Sequence, residues 1–247
     1  MFLNTPEQSP VDALSRTGCA LMPAPRFTQR LGETAAGLKT LRESWSRLPR
    51  DLHLRDGGAY RSRRHSCFTQ DLASGALTLV AHRAHWQPID YNALHGGLER
   101  WFEPVEPAIA SSAVWTRLVK TLGELFAQVR PVPCWYVEAH QFRIDTAEGI
   151  GRPTPEGAHR DGVDYVAVIL VNRGDVRGGE TRVFEAQGNA GIRFTMQEPW
   201  TALLLDDARV IHETTPIQPL AAAAAGSGVR DTLVLTYRSN GFQAPPT

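Results

Sequence analysis

Apolar spacing divides the chain into two textures. From Phe27 to Leu48, the residues Leu31, Leu38, Leu41, Trp45 and Leu48 recur at steps of three, four and seven with charges between them, which predicts one amphipathic helix. A second stripe from Ile109 to Val129, made of Val114, Leu118, Leu122, Leu125 and Val129, keeps the same period. Pro131 and Pro133 stop it, because proline has no amide hydrogen for a further turn. Between the two lie HSCFTQ and ALTLVAH, bounded by Gly57-Gly58 and Ser74-Gly75, which read as the strands of a hairpin. After Pro133 come short β-rich runs, CWYVEAHQFRI, VDYVAVILV, TRVFEA, IRFTM, TALLLDD and RDTLVLTYR, separated by Gly, Pro, Asn and Asp. That spacing predicts an antiparallel sandwich or barrel. Ala221 to Ala225, followed by Gly226-Ser227-Gly228, reads as a loop insertion.

The expectation is one domain of β-rich α+β class. Residues 1–132 form a helical and hairpin support region and 133–247 the β core, with the N-terminal helices packed on the outside. A chain of 247 residues is long enough to bury a sizeable core. Its 26 basic and 26 acidic side chains cancel, so no electrostatic footprint for nucleic acid or an anionic membrane is present. The basic group Arg47, Arg50, Arg55, Arg61, Arg63 and Arg64 reads as a solvated face. Three separated cysteines, Cys19, Cys67 and Cys134, fit neither a disulfide framework nor a paired-cysteine zinc site, and read as packing residues in a reducing compartment. With no leader-like start and no run of about eighteen apolar residues, the expected location is the cytoplasm.

The candidate chemistry sits in PEGAHRDG. His159 and Asp161 are two residues apart at the mouth of VDYVAVILV, and on a strand such residues share a face. A His-x-Asp triplet by itself is more often a surface ion pair. Here it opens an apolar run, Gly162 follows it, and His212 stands at the end of another apolar run in LLLDDARVIHETTP. Two histidines and one carboxylate leave three adjacent positions open on an iron, whereas a structural zinc site normally has four protein ligands with cysteine among them. His159, Asp161 and His212 are therefore the predicted metal ligands and catalytic centre.

A dicarboxylate cosubstrate needs a cationic anchor. Arg230, Thr232, Val234, Thr236 and Arg238 share one strand face, and a guanidinium grips a carboxylate bidentately. Arg230 is the better placed, with Arg238 second and Thr236 beside them. Gln141 and Arg143 alternate on the strand before the triplet and are expected to line the substrate pocket, Arg143 as partner of a substrate carboxylate. Gly178-Gly179-Glu180-Thr181 reads as a tight turn, and His82 and His85 as surface or cap residues. A cupin-like metal enzyme would usually carry three histidines, and the chain lacks the matching His-x-His.

The ordered set EAHQFRI, PTPEGAHRDG, GGET, IHETTPI and RDTLVLTYR, across roughly residues 134 to 238, resembles the Fe(II)/2-oxoglutarate-dependent dioxygenases of the bacterial isoleucine-dioxygenase type, which hydroxylate amino acids. The resemblance implies a double-stranded β-helix, the cupin-like jelly roll, with His159, Asp161 and His212 holding iron and Arg230 anchoring 2-oxoglutarate. It implies Fe(II), 2-oxoglutarate and O2 as cofactors, with ascorbate as an accessory reductant. The expected reaction is hydroxylation of an unactivated C–H bond in a free or lightly modified aliphatic amino acid, with release of succinate and CO2. Two other readings stay open. The same cofactors also support desaturation, cyclisation or sulfoxidation, and a non-catalytic binding protein would keep the same jelly roll.

Overall fold

Seven antiparallel strands, drawn from both halves of the chain, form the main sheet. The computed structural model describes residues 8–92, 94, 96–220 and 228–246. The helices are α1 (Pro10–Thr17), α2 (Ala24–Leu31), α3 (Ala35–Glu43), α4 (Pro107–Ala110) and α5 (Ala113–Val129), with a 3-10 turn at Ser44–Arg47. The strands are β1 (Cys19–Met22), β2 (Arg61–Asp71), β3 (Leu77–Leu79), β4 (Cys134–Asp145), β5 (Tyr165–Gly174), β6 (Val176–Gly178), β7 (Thr181–Glu185), β8 (Gly191–Phe194), β9 (Ala202–Asp206), β10 (Val210–Thr214), β11 (Ile217–Pro219) and β12 (Val229–Arg238). The main sheet has the order β1-β9-β5-β12-β4-β2-β3; β10-β7-β8 and β11-β6 form two smaller sheets.

Local chemistry explains the helices. The Ser112 hydroxyl accepts the Trp115 amide and starts α5, which ends at Arg130 before Pro131. Its stripe, Trp115, Leu118, Leu122, Leu125 and Phe126, is fully buried against the sheet. The single helix expected from Phe27 to Leu48 is instead two helices and a 3-10 turn. Gly32 leaves α2 with φ +61, a left-handed conformation that glycine adopts without penalty, and the Thr34 hydroxyl restarts the chain by accepting the Gly37 amide. The apolar stripe survives the break: Leu31, Leu38, Leu41 and Trp45 are all buried. The expected hairpin is present as β2 and β3, with Phe68 opposite Leu79. The alanine tract lies outside the described residues.

Alternation on the central strands gives the main sheet two different faces. Val137 and Ala139 of β4, Ala167 and Ile169 of β5, and Leu233, Leu235 and Tyr237 of β12 face the helices and are excluded from solvent. The indole N–H of Trp45 is shared between the carbonyls of Phe142 and Thr232, at 3.1 and 3.2 Å, which seats the 3-10 turn on that face. On the opposite face, Val166, Leu170, Leu203 and Leu205 pack against Val183 and Val210 of the smaller sheet. A cavity opens beside that second core, lined by alternate residues of β2, β4 and β12.

The strand order revises three expectations. Residues before 133 are more than a support, since β1, β2 and β3 all join the main sheet. Arg61 and Arg63 are not solvated: they stand on the cavity side of β2, 5% and 4% exposed. Gln141 and Arg143 do not line the cavity, because they have the opposite parity to His140 and Phe142, which do. Gln141 donates to the Ser44 hydroxyl at 2.8 Å, and Arg143 grips Asp231 through two bonds of 2.7 and 2.8 Å.

Among the described residues no helix is long and apolar enough to cross a membrane. The three thiols are free, and burial pushes that of Cys19 up to about 12.

The Asp231 side chain is wholly buried, so Arg143 acts on the fold and not on a ligand. Arg143→Ala is expected to destabilise the protein by roughly 3 kcal/mol, the scale set by stranding a buried charge. Substrate affinity of the folded fraction should not change. Urea unfolding together with ligand titration checks both parts.

Candidate metal centre and cosubstrate pocket

His159 and Asp161 are on a loop, not on a strand as their spacing suggested; β5 begins at Tyr165. Tertiary bonds bring them together instead. His159 and His212 exchange two backbone hydrogen bonds of 3.0 Å, an isolated antiparallel bridge to the middle of β10, which sets their rings 4.6 Å apart. Asp161 is held from the other side by Asp207, in the turn after β9. The buried Asp207 carboxylate accepts the amides of Asp161, Gly162 and Val163 at 2.9, 2.8 and 3.1 Å. Burial and the nearby Asp161 push its pKa up to about 7 against the pull of those amides. Gly162 is required here. Its φ is +74, and a Cβ would meet the Tyr91 ring at 2.6 Å.

The donor set fits a metal ion. His159 donates its Nδ1 hydrogen to the Gly157 carbonyl at 2.9 Å, which leaves the Nε2 lone pair facing inward. That atom is 3.9 Å from Asp161 Oδ1, and His212 Nε2 is 3.7 Å from Asp161 Oδ2. These separations exceed a hydrogen bond but remain within twice a metal–ligand distance of about 2.1 Å. All three ligand atoms lie within 4.8 Å of one another. A metal ion would satisfy lone pairs that the protein leaves facing each other.

Arg230 reaches the same cavity from β12, and its Nε and Nη2 are buried without partners. Burial, with Arg173 nearby, lowers its pKa to about 10, the mark of a cation short of a counter-charge. Thr232 and Thr236 line the cavity on the same strand face. Arg238 does not line it and donates to the Gly241 carbonyl at 3.0 Å. Of the two arginines considered for a dicarboxylate, Arg230 is the one in the cavity. Gly178 and Gly179, at φ +78 and +68, make the tight turn into β7 expected from the sequence.

Sequence reasoning missed a second polar group in the same cavity. His85, read as a surface or cap residue, is buried and donates to Glu138 at 2.7 Å, and His65 does so at 2.9 Å. His140 stacks on His65 with ring centroids 4.6 Å apart. The available signal was parity: Glu138 and His140 alternate with the apolar Val137 and Ala139. Asp207 left no local signal, since its role comes entirely from amides more than forty positions away.

Asp207→Ala should strand three amides and let the His159–Asp161 loop drift, lowering Fe(II) affinity by about 10- to 100-fold, the usual range for such supporting groups. Asp207→Asn, which keeps one acceptor, should fall between. Competition with a chelator measures it, and wild-type affinity in the alanine variant would remove the positioning role.

Residues 42–236 match the 2OG-Fe dioxygenase family. The crystal structure of a BsmA homolog from Methylobium petroleophilum PM1 is 54% identical, with a TM-score of 0.91 over 96% of this chain and 94% of that one. IDO from Bacillus thuringiensis, at 18% identity, has a TM-score of 0.77 over 94% of this chain and 98% of that one. The Fe(II)/α-ketoglutarate-dependent dioxygenase TqaL, also 18% identical, has a TM-score of 0.69 over 92% and 85%. At that identity the last two speak to fold alone. No curated protein matches the sequence. A family match that spans most of the sequence, on a fold that gathers His159, Asp161 and His212 into one cavity, places this chain in the 2OG-Fe dioxygenase family, with Fe(II), 2-oxoglutarate and O2 as its cofactors.

Proposed function

We propose that this dioxygenase hydroxylates an unactivated C–H bond of a free or lightly modified aliphatic amino acid, releasing succinate and CO2. The observation that carries the reading is the meeting of the His-His-Asp set and Arg230, whose Nε and Nη2 have no partner, in one cavity. A cavity walled by strands of two sheets suits a small molecule better than a protein segment. The motifs between residues 134 and 238 favour the isoleucine-dioxygenase type, and the fold likeness to IDO is consistent with it. We read the main sheet and the β10-β7-β8 sheet as the two walls of a double-stranded β-helix.

In this reading His159, His212 and Asp161 hold the iron through Nε2, Nε2 and a carboxylate oxygen. Iron held by these residues would supply the activation of O2 that is coupled to oxidative decarboxylation of 2-oxoglutarate. The protein contributes placement. Arg230 receives the distal carboxylate of the cosubstrate, where a bidentate guanidinium fixes orientation as well as position. Val163, Val168 and Val234 form an apolar part of the wall, which keeps water from the reacting region. Selectivity for one C–H bond then follows from how the substrate is held.

Succinate release across the proteinogenic amino acids and their N-acyl forms should reveal a substrate, with a product heavier by one oxygen atom. A product lighter by two hydrogens would favour desaturation. Absence of both succinate and substrate loss with every small molecule offered would favour the non-catalytic reading. His159→Ala should abolish turnover together with the visible absorption band of the anaerobic Fe(II)–2-oxoglutarate protein. Arg230→Met should raise KM for 2-oxoglutarate about 100-fold, the scale of a truncated buried ion pair, while Arg238→Met leaves it unchanged.

A further inference from the structure

One end of the cavity carries more positive charge than the protein neutralises there. Arg61, Arg63 and Arg100 all line it and are 5%, 4% and 3% exposed. Asp51 is committed to Arg61, at 2.6 Å. Among the described residues no ion pair joins Arg63 or Arg100 to a carboxylate, and the Nε of each is buried without a partner. Both are nonetheless fixed. Arg63 lies over the rings of Phe102 and Phe142, at 3.9 and 4.6 Å, and donates to His140 Nδ1 at 2.9 Å. Arg100 donates to Gln87 Oε1 at 2.9 Å, and Gln87 donates in turn to Asp161 Oδ1 at 3.2 Å, so one side chain separates Arg100 from a metal ligand. Buried cations held rigid with no carboxylate in direct contact are costly unless a ligand supplies one. Burial, Arg100 and Arg61 together drive the Arg63 pKa well below its usual value, and Arg100 falls to about 10.

Glu138 stands beside them. Burial alone would raise its pKa, but the N–H bonds that His85 and His65 direct at Oε2 favour the carboxylate form and lower it. Both imidazoles use Oε2, and among the described residues Oε1 accepts no hydrogen bond. The ligand atoms of His65, His85, Glu138 and His140 are close enough to suggest a metal site. The hydrogen bonding opposes that. Arg63 needs the lone pair of His140 Nδ1, which puts the ring proton on Nε2 and prevents that atom from ligating. Arg63 and Arg100 would also repel a dication.

We propose that this end of the cavity is the seat of the substrate's α-amino-acid head group, with Arg63 and Arg100 receiving the carboxylate and Glu138 the ammonium. The inference rests on the amino-acid hydroxylase reading and names the residues that would give the enzyme that preference. A zwitterion matches both charges. Fixed one side chain from Asp161, the head group sets which carbon reaches the metal.

The test uses aliphatic L-amino acids, each with its des-amino acid and its decarboxylated amine. Binding is titrated calorimetrically to the full chain loaded with Fe(II) and saturating 2-oxoglutarate without O2, so that Arg230 is occupied. At least one amino acid should bind, its des-amino acid more weakly and its amine not at all. Arg63→Met and Arg100→Met should each weaken both carboxylates by about 30-fold or more. Glu138→Gln should erase the advantage of the amino acid over its des-amino acid; Glu138→Asp, which keeps the charge but draws it back, should reduce that advantage. Retention of the Fe(II)–2-oxoglutarate absorption band shows that each variant is folded and loaded. Arginine variants that bind like the wild type, or a wild type that binds no carboxylate of the set, overturn the inference; succinate formation from an amino acid would then still support the hydroxylase reading. Des-amino acids that bind as tightly as amino acids, with no effect of Glu138→Gln, overturn the ammonium seat and the amino-acid reading but keep the carboxylate seat. A second equivalent of Fe(II) or Zn(II), lost in His65→Ala and kept in His159→Ala, would make the cluster a metal site and overturn the proposal.

Discussion

The antiparallel pairing of β4 with β12 is the constraint on which the molecule turns. Its register places Val137 opposite Tyr237 and Ala139 opposite Leu235 on the helix-facing side, and Glu138 opposite Thr236 and Ile144 opposite Arg230 on the cavity side. A slip of one residue would exchange the faces, burying charges among aromatic rings and turning valine and leucine into the cavity. The hydrophobic effect on one face thereby decides which polar side chains meet on the other. Trp135, Tyr165, Tyr237 and Phe126 lock that outer face, and the buried Tyr237 hydroxyl donates to the Val119 carbonyl at 2.8 Å.

The cavity face works against stability. It holds guanidiniums with partnerless nitrogens and histidine lone pairs that face one another, each of which folding would otherwise avoid. On β2 and β12 such groups persist because strands bonded on both sides cannot move to relieve them. Stability is given up where ligands will bind, and recovered in the apolar layer behind.

The metal centre follows a different logic, because its ligands come from a loop and the smaller sheet. Backbone bonds carry the precision. The His159–His212 bridge fixes the two imidazoles, while Asp207 and the left-handed Gly162 fix the loop that presents Asp161. Gln87 ties this centre to Arg100, accepting from its guanidinium and donating to Asp161.

The sequence by itself determined what repeats locally. Period-3.6 stripes marked the helical segments and alternation marked the strands. The residue types in PEGAHRDG, with His212, marked the His/Asp/His set, and those in RDTLVLTYR marked an arginine that lines the same cavity. It misjudged matters that depend on distant atoms. The long helix broke at Gly32, Arg143 turned to Asp231 on the outer face, and His85, Arg63 and Glu138 met across β2, β4 and the segment that follows β3. Periodicity reports which side of an element a residue occupies, never which side the rest of the chain will cover. That was decided only when the helices packed on one face of the sheet and left the other to the cavity.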